Sequence, residues 1–313
     1  MTTHYLSYGG KLPNHEAKYA AAIGDFDGVH LGHRQVIGRA VQLADQKGLK
    51  SAVMTFCPHP REVLGHKQYS RSLAPFSKKS QLLKQLGVDD IWAVRFDEEF
   101  SKVEPEQFFE NMLALLNIDT IVVGFDFTFG HRGRGTPDLL KELGKGNINV
   151  EVVPPYKIDG EKVSSTCIRE LLLEGEVELA NKYLGRRYAV SGTVVEGEKR
   201  GRTIGFPTAN IALDDSYVIP AKGVYAVNVA CQGQKHHGVM NIGVKPTFHG
   251  DLDVEPTLEV HILDFDRSIY GEAVEVEFVK FIRKEQKFGS VEALIKQIAQ
   301  DAETARACFA SLD

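Results

Sequence analysis

From residue 18 to residue 155 the chain alternates short, solid apolar blocks with segments whose apolar residues recur every three or four positions. KYAAAIGDF (18–26), SAVMTF (51–56), IWAVRF (91–96), TIVVGFDF (120–127) and NVEVVPP (149–155) read as buried strands. RQVIGRAVQLADQKG (34–48), SKKSQLLKQLG (77–87), EPEQFFENMLALLN (104–117) and TPDLLKELG (136–144) read as helices, the first ending at Gly48. The alternation predicts an α/β domain with a doubly wound, Rossmann-like parallel sheet covered on both faces. Sheets of that kind bind ligands at the carboxyl ends of their strands. Four polar clusters follow the apolar blocks: Asp25–His33, Thr55–Arg61, Asp126–Arg134 and Ser164–Arg169.

The period then changes. After two short helices, IRELLLEG (168–175) and EVELANKYLG (176–185), five segments alternate apolar and polar residues with period two. They are RRYAVSGTVVEG, GVYAVNVAC, HHGVMNIG, TLEVHILDF and AVEVEFVKFI, separated by glycines and turn residues. This pattern predicts a small antiparallel barrel or sandwich, closed by a terminal helix over about Ser290–Ala310. The expected boundary lies near Gly185–Arg187, giving domains 1–185 and 186–313.

A length of 313 residues fits two domains. The net charge of −5 argues against a nucleic-acid partner, and no apolar run reaches the roughly 20 residues that span a bilayer. MTTHYLSYGG lacks the basic-then-apolar order of a signal peptide, and Cys57, Cys167, Cys231 and Cys308 form no CxxC pair. The expectation is a reduced, cytoplasmic protein; its oligomeric state is open.

In AIGDFDGVHLGHRQ (22–35), Gly24 and Gly28 permit a tight turn into a helix that begins near His30. A helix N-terminus suits an anion, and His30 and His33, three apart, share one face of its first turn, placed to meet nucleotide phosphates. Chelation of a metal by Asp25, Asp27, His30 and His33 is the main alternative, and a polar loop capping a helix is the plainest one.

GDFDGVHLGH (24–33) resembles the GxFDGxHxGH signature of the nucleotidylyltransferase superfamily, and VSSTCIR (163–169) its (I/V)SSTxIR element, in the same order. The resemblance implies attack by an acceptor phosphate on the α-phosphate of ATP. His30 and His33 then act as the catalytic phosphate cradle, with Gly24, Phe26, Asp27 and Gly28 around the nucleotide and Ser164, Ser165, Thr166 and Arg169 on its other side. TFCPHPRE (55–62) and VVGFDFTFGHRGRG (122–135) resemble the flavin-adenylylating members. Phe56, Phe125, Phe127 and Phe129 offer flat apolar surface for a flavin ring and Asp126 a partner for its polar edge, although alternate strand residues must point into a core. Pro58, His59, Pro60 and Arg61 belong to the same expected flavin site, and His131, Arg132 and Arg134 can neutralise its phosphate.

EGEKRGRTIGFPTAN (196–210) has no Walker spacing, and Lys199 and Arg200 do not replace it. GFPTAN resembles the PTAN signature of riboflavin kinases, which implies that Thr208 and Asn210 hold Mg²⁺ and ATP phosphates while Gly201 and Gly205 cover the nucleotide. The same resemblance makes Glu259 the catalytic base. A glutamate on the inner face of a small barrel would be costly without such a task or a partner, whereas periodicity alone reads Glu259 as an outward strand carboxylate. MNIGVKPTF (240–248) and FIRKEQKFGSVEAL (281–294) are also similar to the family, with Asn241 and Arg283 as flavin contacts; Asp264 and Asp266 read as turn residues. Nearly the whole chain therefore resembles the bacterial bifunctional riboflavin kinase/FAD synthetases. That resemblance implies riboflavin, FMN, FAD, ATP, ADP and pyrophosphate as ligands. Rival readings are a chain with one silent half and a flavin-binding regulator.

Overall fold

The computed structural model describes residues 1–13, 16–197, 201, 204–244 and 256–311. The chain divides into two compact units, Met1–Ser165 and Thr166–Asp313.

The first unit is built on a six-stranded sheet of β1 (Thr2–Leu6), β2 (Tyr19–Ile23), β3 (Lys50–Cys57), β4 (Asp90–Arg95), β5 (Ile118–Gly124) and β6 (Asn149–Val153). Its order is β1-β4-β3-β2-β5-β6, and every pairing is parallel. Both faces are covered, as a parallel sheet requires. On β2, Tyr19, Ala21 and Ile23 join one core with Trp92, Phe108 and Leu140, whereas Ala20 and Ala22 join the other with Val36, Ile37 and Leu83. Helices α1 (Leu31–Lys47), α2 (Pro60–Val63), α3 (Phe76–Gln85), α4 (Pro105–Asn111) and α5 (Pro137–Gly144) complete this unit with a two-stranded hairpin, β7 (Lys157–Ile158) and β8 (Glu161–Lys162). The chain winds outward in both directions from the β2/β5 pair, so the sheet has its topological switch point there.

Several elements differ from the sequence expectation, β1 and the segment 104–117 among them. β1 reads TTHYL, half-exposed and mostly polar, because it is an edge strand held by β4. The segment expected as one helix over 104–117 is α4 followed by a single 3-10 turn, Leu113–Leu115.

The second unit opens with α6 (Ser165–Glu174, its first residue still in the first unit) and α7 (Val177–Leu184). Six strands follow: β9 (Tyr188–Val195), β10 (Ala209–Leu213), β11 (Gly223–Cys231), β12 (Gln234–Val244), β13 (Pro256–Ile262) and β14 (Ala273–Arg283). They form a closed antiparallel barrel, β10-β13-β12-β11-β14-β9, so of the two expected architectures the barrel is the one adopted. Tyr188, Tyr225 and Phe278 fill it with ring contacts of 5.4–6.1 Å. Helix α8 (Val291–Ala310) is capped by the Ser290 hydroxyl and packs Ala302, Ala305 and Phe309 on the outer residues Val224, Ala226, Val239 and Val279.

Below the parallel sheet, Asp90 is buried and accepts from the Tyr19 hydroxyl at 2.8 Å, with Lys50 and His4 within 4.0 Å. Burial opposes its ionisation, but the Tyr19 bond, the Lys50 ammonium and the nearby His4 ring outweigh that and hold its carboxyl below the usual range. A carboxylate with a depressed folded pKa stabilises the fold above its unfolded value, about 3.9, and that stabilisation is lost as pH falls through the lower folded value. Asp90→Asn should therefore weaken the first unit by about 1–3 kcal/mol at neutral pH and lose less stability on acidification than the parent, as read by urea unfolding at about pH 7 and about pH 3.

Candidate active sites

In the first unit the polar clusters follow β2, β3 and β5, which are neighbours in the sheet. The turn after β2 is an unusual piece of backbone: Phe26 (φ 53°), Gly28 (φ 85°) and Val29 (φ 43°) all lie in the left-handed region. Only Gly28 adopts it without strain. Asp27 provides the restraint, because its buried carboxylate accepts the Leu73 and Ala74 backbone N–H groups at 3.2 and 3.1 Å. Both oxygens accept backbone N–H groups, so Asp27 shapes the turn. Its carbonyl accepts from Ser165 Oγ at 2.9 Å, which ties the start of α6 to the same turn.

The turn delivers His30 as the N-cap of α1, where its Nδ1 accepts the His33 backbone N–H at 3.2 Å. A ring nitrogen that accepts carries no proton, so the other nitrogen of a neutral His30 is the donor. The His30 and His33 rings stack with centroids 3.5 Å apart at 21°, and Phe26 meets His33 edge-on at 5.3 Å. Two imidazoles thus lie side by side at the first turn of a seventeen-residue helix, where unpaired N–H groups and the helix dipole favour an anion. Gly24 and Gly32 leave room for these rings: a Cβ on Gly24 would lie 3.0 Å from Phe26, and one on Gly32 3.2 Å from His30.

The loop after β3 is joined to this turn. His59 caps α2 by accepting the Arg61 N–H at 3.0 Å, and its Nε2 lies 3.1 Å from Asp25 Oδ2. Burial raises the Asp25 carboxyl, but the Lys79 charge and the His59 bond prevail and hold it below its usual value. Pro58 and Arg61 are exposed, Pro60 is the first residue of α2, and Arg61 bonds the Tyr69 hydroxyl.

The aromatic residues divide. Phe129 is a core residue, 6% exposed against Phe108 at 5.9 Å, with Gly135 pressed on its ring. Phe127 stacks on Phe129 at 5.6 Å and stays half-buried, and Phe56 is half-buried against Phe96 and Phe100. Asp126 is exposed and paired with Lys162 at 2.6 Å. Arg134 pairs with Glu104 and His131 bonds the Ser101 carbonyl, while Arg132 is exposed. Ser164 is half-buried. Thr166 and Arg169, on α6, are respectively exposed and buried.

In the second unit strand register assembles the site. Arg283 pairs with Val224, Val224 with Asn241, Asn241 with Glu259, and Glu259 with Asn210. Directly opposed residues share a face with Cβ atoms about 5 Å apart, so four expected site residues form one transverse row over five strands. Leu258, Val260 and Ile262 are buried between them, which puts Glu259 on the outer wall of the barrel, the face that α8 covers. The structure therefore shows the outward orientation that periodicity alone indicates, not an inner-face glutamate.

That wall borders a cavity of about 370 Å³ lined by Gly201, Thr208, Asn241, Glu259, Arg283 and residues of α8. A second cavity of about 370 Å³ lies beside Pro207, Thr208, Ala209 and the 265–270 turn. Thr208 belongs to both. Asn210 rests on Gly197, where a Cβ would sit 2.1 Å from its Nδ2, and Gly201 is equally close to the Phe206 carbonyl. Gly205 has φ 86°. Arg283 is held by the buried Asp301 through bonds of 2.7–3.1 Å, with Gln297 on the same carboxylate. His261 bonds the Pro207 carbonyl at 2.8 Å and so anchors the 207–208 backbone. Asp264 pairs with Arg306. Lys199, Arg200 and residues 245–248 lie outside the described residues.

Sequence reasoning missed Lys79, His261 and Asp301. For Lys79 a signal existed: with Leu82 and Leu83 it shares the buried face of α3.

A parallel sheet with two stacked imidazoles at its switch point, and a small barrel with a carboxylate–amide row beside two cavities, fit a transferase of phosphorus-containing groups, the class to which both matching families belong. Residues 12–167 match the family described as FAD synthetase, and residues 184–309 the family described as riboflavin kinase. A bifunctional riboflavin kinase/FMN adenylyltransferase of Bacillus subtilis (strain 168) is 43% identical over 100% of this chain and 99% of its own. The protein of the same description from Listeria monocytogenes is 45% identical over 93% of each chain. A crystal structure described as a macrolide-efflux protein from Streptococcus pneumoniae matches with a TM-score of 0.90 at 35% identity, covering 97% of this chain and 98% of that one. No helix among the described residues is long and apolar enough to cross a membrane. The chain belongs to the bifunctional riboflavin kinase/FMN adenylyltransferase family, with the FAD synthetase part N-terminal and the flavokinase part C-terminal.

Gly197→Ala should displace the Asn210 side chain and lower phosphorylation of riboflavin about tenfold or more, while adenylylation of supplied FMN stays at the parent rate. Separate assays of the two half-reactions on one preparation check this.

Proposed function

We propose that the two activities reside in two separate sites, one in each half of the chain, with the functional boundary at 185/186. The start of the flavokinase match at residue 184 supports that boundary. The observation that carries the reading of the second site is the row Arg283–Val224–Asn241–Glu259–Asn210 beside Thr208. Riboflavin occupies the cavity against Glu259, Asn241 and Arg283, and ATP the one beside Pro207–Ala209, with Gly201 and Gly205 in the covering loop. The flavin hydroxyl oxygen attacks the γ-phosphorus, its proton passes to Glu259, and the bond to ADP breaks. Thr208, common to both cavities, stands where the phosphoryl group crosses.

The Thr208 hydroxyl and the Asn210 amide oxygen are neutral hard donors two residues apart, a set that suits Mg²⁺ sharing its remaining positions with phosphate oxygens. The ion supplies charge neutralisation there.

In the first half, an FMN phosphate oxygen attacks the α-phosphorus of ATP, pyrophosphate leaves, and FAD forms. His30 and His33 hold the departing phosphates, with Gly24, Phe26 and Gly28 forming the floor. Ser164 and Ser165 belong to the same site, and the motif resemblance extends that role to Thr166 and Arg169. Asp27 acts through the turn. Phe56, Phe127, Asp126 and the 58–61 loop flank the flavin. The four free cysteines support a reducing, cytoplasmic setting.

Incubation with Mg-ATP and riboflavin, or with Mg-ATP and FMN, followed by chromatography of the flavins, tests the reading. The parent protein yields FMN and then FAD. His30→Ala is expected to lose FAD formation by about 100-fold or more and to keep FMN formation. Glu259→Ala is expected to lose FMN formation by about 100-fold or more and still to adenylylate supplied FMN. Loss of both activities from either single change in a folded protein overturns the separation of sites.

A further inference from the structure

A buried ammonium that neither half-reaction uses lies under the first site. Lys79, on α3, is 6% exposed. Its Nζ donates to the Asp25 carbonyl oxygen at 2.6 Å and to Thr55 Oγ1 at 3.2 Å, and the wholly buried Thr55 donates to the same carbonyl at 2.7 Å. Among the described residues no carboxylate makes a direct ion pair with it. Desolvating an ammonium carries a penalty that neutral acceptors offset only in part, and a leucine at this position would pack α3 without it. The charge is explained by what it grips. Asp25 begins the turn in which Phe26, Gly28 and Val29 have positive φ, and that turn sets the position of His30 at the head of α1. Asp27 secures the turn through the backbone of residues 73 and 74, immediately before the same helix. The Asp25 carboxylate, under the influence of the Lys79 charge, bonds His59 and so registers the 57–61 loop against the turn.

We infer that Lys79 is a positioning residue of the adenylyl-transfer site: with Thr55 it clamps the Asp25 peptide, and through it the turn that presents His30 and His33. α3 is thereby a functional element, holding the motif turn by its side chain at one end and by the backbone leading into the helix at the other. The inference rests on the adenylyl-transfer reading of the first half.

The test uses the full chain and measures FAD formation from FMN and FMN formation from riboflavin in the same preparation. Lys79→Ala and Lys79→Met are expected to lower kcat/KM for FAD formation about 100-fold and to leave FMN formation unchanged. Methylammonium, which fits the space left by truncation, is expected to raise Lys79→Ala about tenfold, and to do nothing for Lys79→Met, where the space is filled, or for the parent. A merely structural lysine gives no such selective rescue. FAD formation at the parent rate in Lys79→Ala, or a folded Lys79→Ala that is inactive and indifferent to methylammonium, overturns the inference. If Lys79→Ala does not fold, Lys79→Gln decides, since it keeps amide donors without the charge: reduced FAD formation is expected, and the parent rate overturns the inference. A parent protein that makes no FAD from FMN and ATP would refute the underlying reading, whereas an active parent with an equally active Lys79→Ala refutes only the role of Lys79.

Discussion

The first half of this protein depends on a turn that does not hold its own shape. Phe26 and Val29 are non-glycine residues with left-handed backbone, a conformation that persists only when the surroundings over-determine it. The surroundings do so with buried polar contacts: the Asp27 carboxylate takes two backbone N–H groups, and the Asp25 carbonyl takes a hydroxyl and an ammonium. A loop at the edge of a sheet is ordinarily its softest part. Here it is bonded on both sides to α3 and its approach, and the helix it launches inherits that rigidity. The stacked imidazoles at the first turn of α1 are placed by this scaffold.

The barrel solves a related problem by other means. The residues proposed for its site are not gathered in a loop but lie across five strands, so their spacing is set by hydrogen-bonded register. Two loose ends are then tied down. Asp301, from α8, fixes the guanidinium at one end of the row, and Gly197 leaves the space that Asn210 occupies at the other.

How much of this was legible in the sequence varies with its physical origin. Solid apolar strands such as YAAAI and the amphipathic α1 carry their environment in their own pattern, and the change of period marked the passage from sheet to barrel. β1 was not legible, because TTHYL is an edge strand that owes its conformation to β4. Strand β10 was hidden in the PTAN stretch, whose proline and glycine neighbours read as turn. His30 as a helix cap escaped notice because imidazole is an uncommon capping group, although its place at the helix start was correct. Phe127 and Phe129 look alike in the sequence, and only packing separates the half-buried ring from the core ring. The row through Glu259 was illegible as a row, since register between strands distant in sequence is a property of the folded sheet.

The placement of Glu259 has a consequence for how such a module can change over time. Along β13 the buried Leu258, Val260 and Ile262 interleave with outward Glu259 and His261. Packing and the proposed chemistry thus share a strand but occupy opposite sides of it. Substitutions that repack the interior conservatively keep strand register, and register alone sets the spacing of the outer row. The barrel interior is therefore free to drift among lineages, or to be redesigned for heat resistance, without retuning the reactive face.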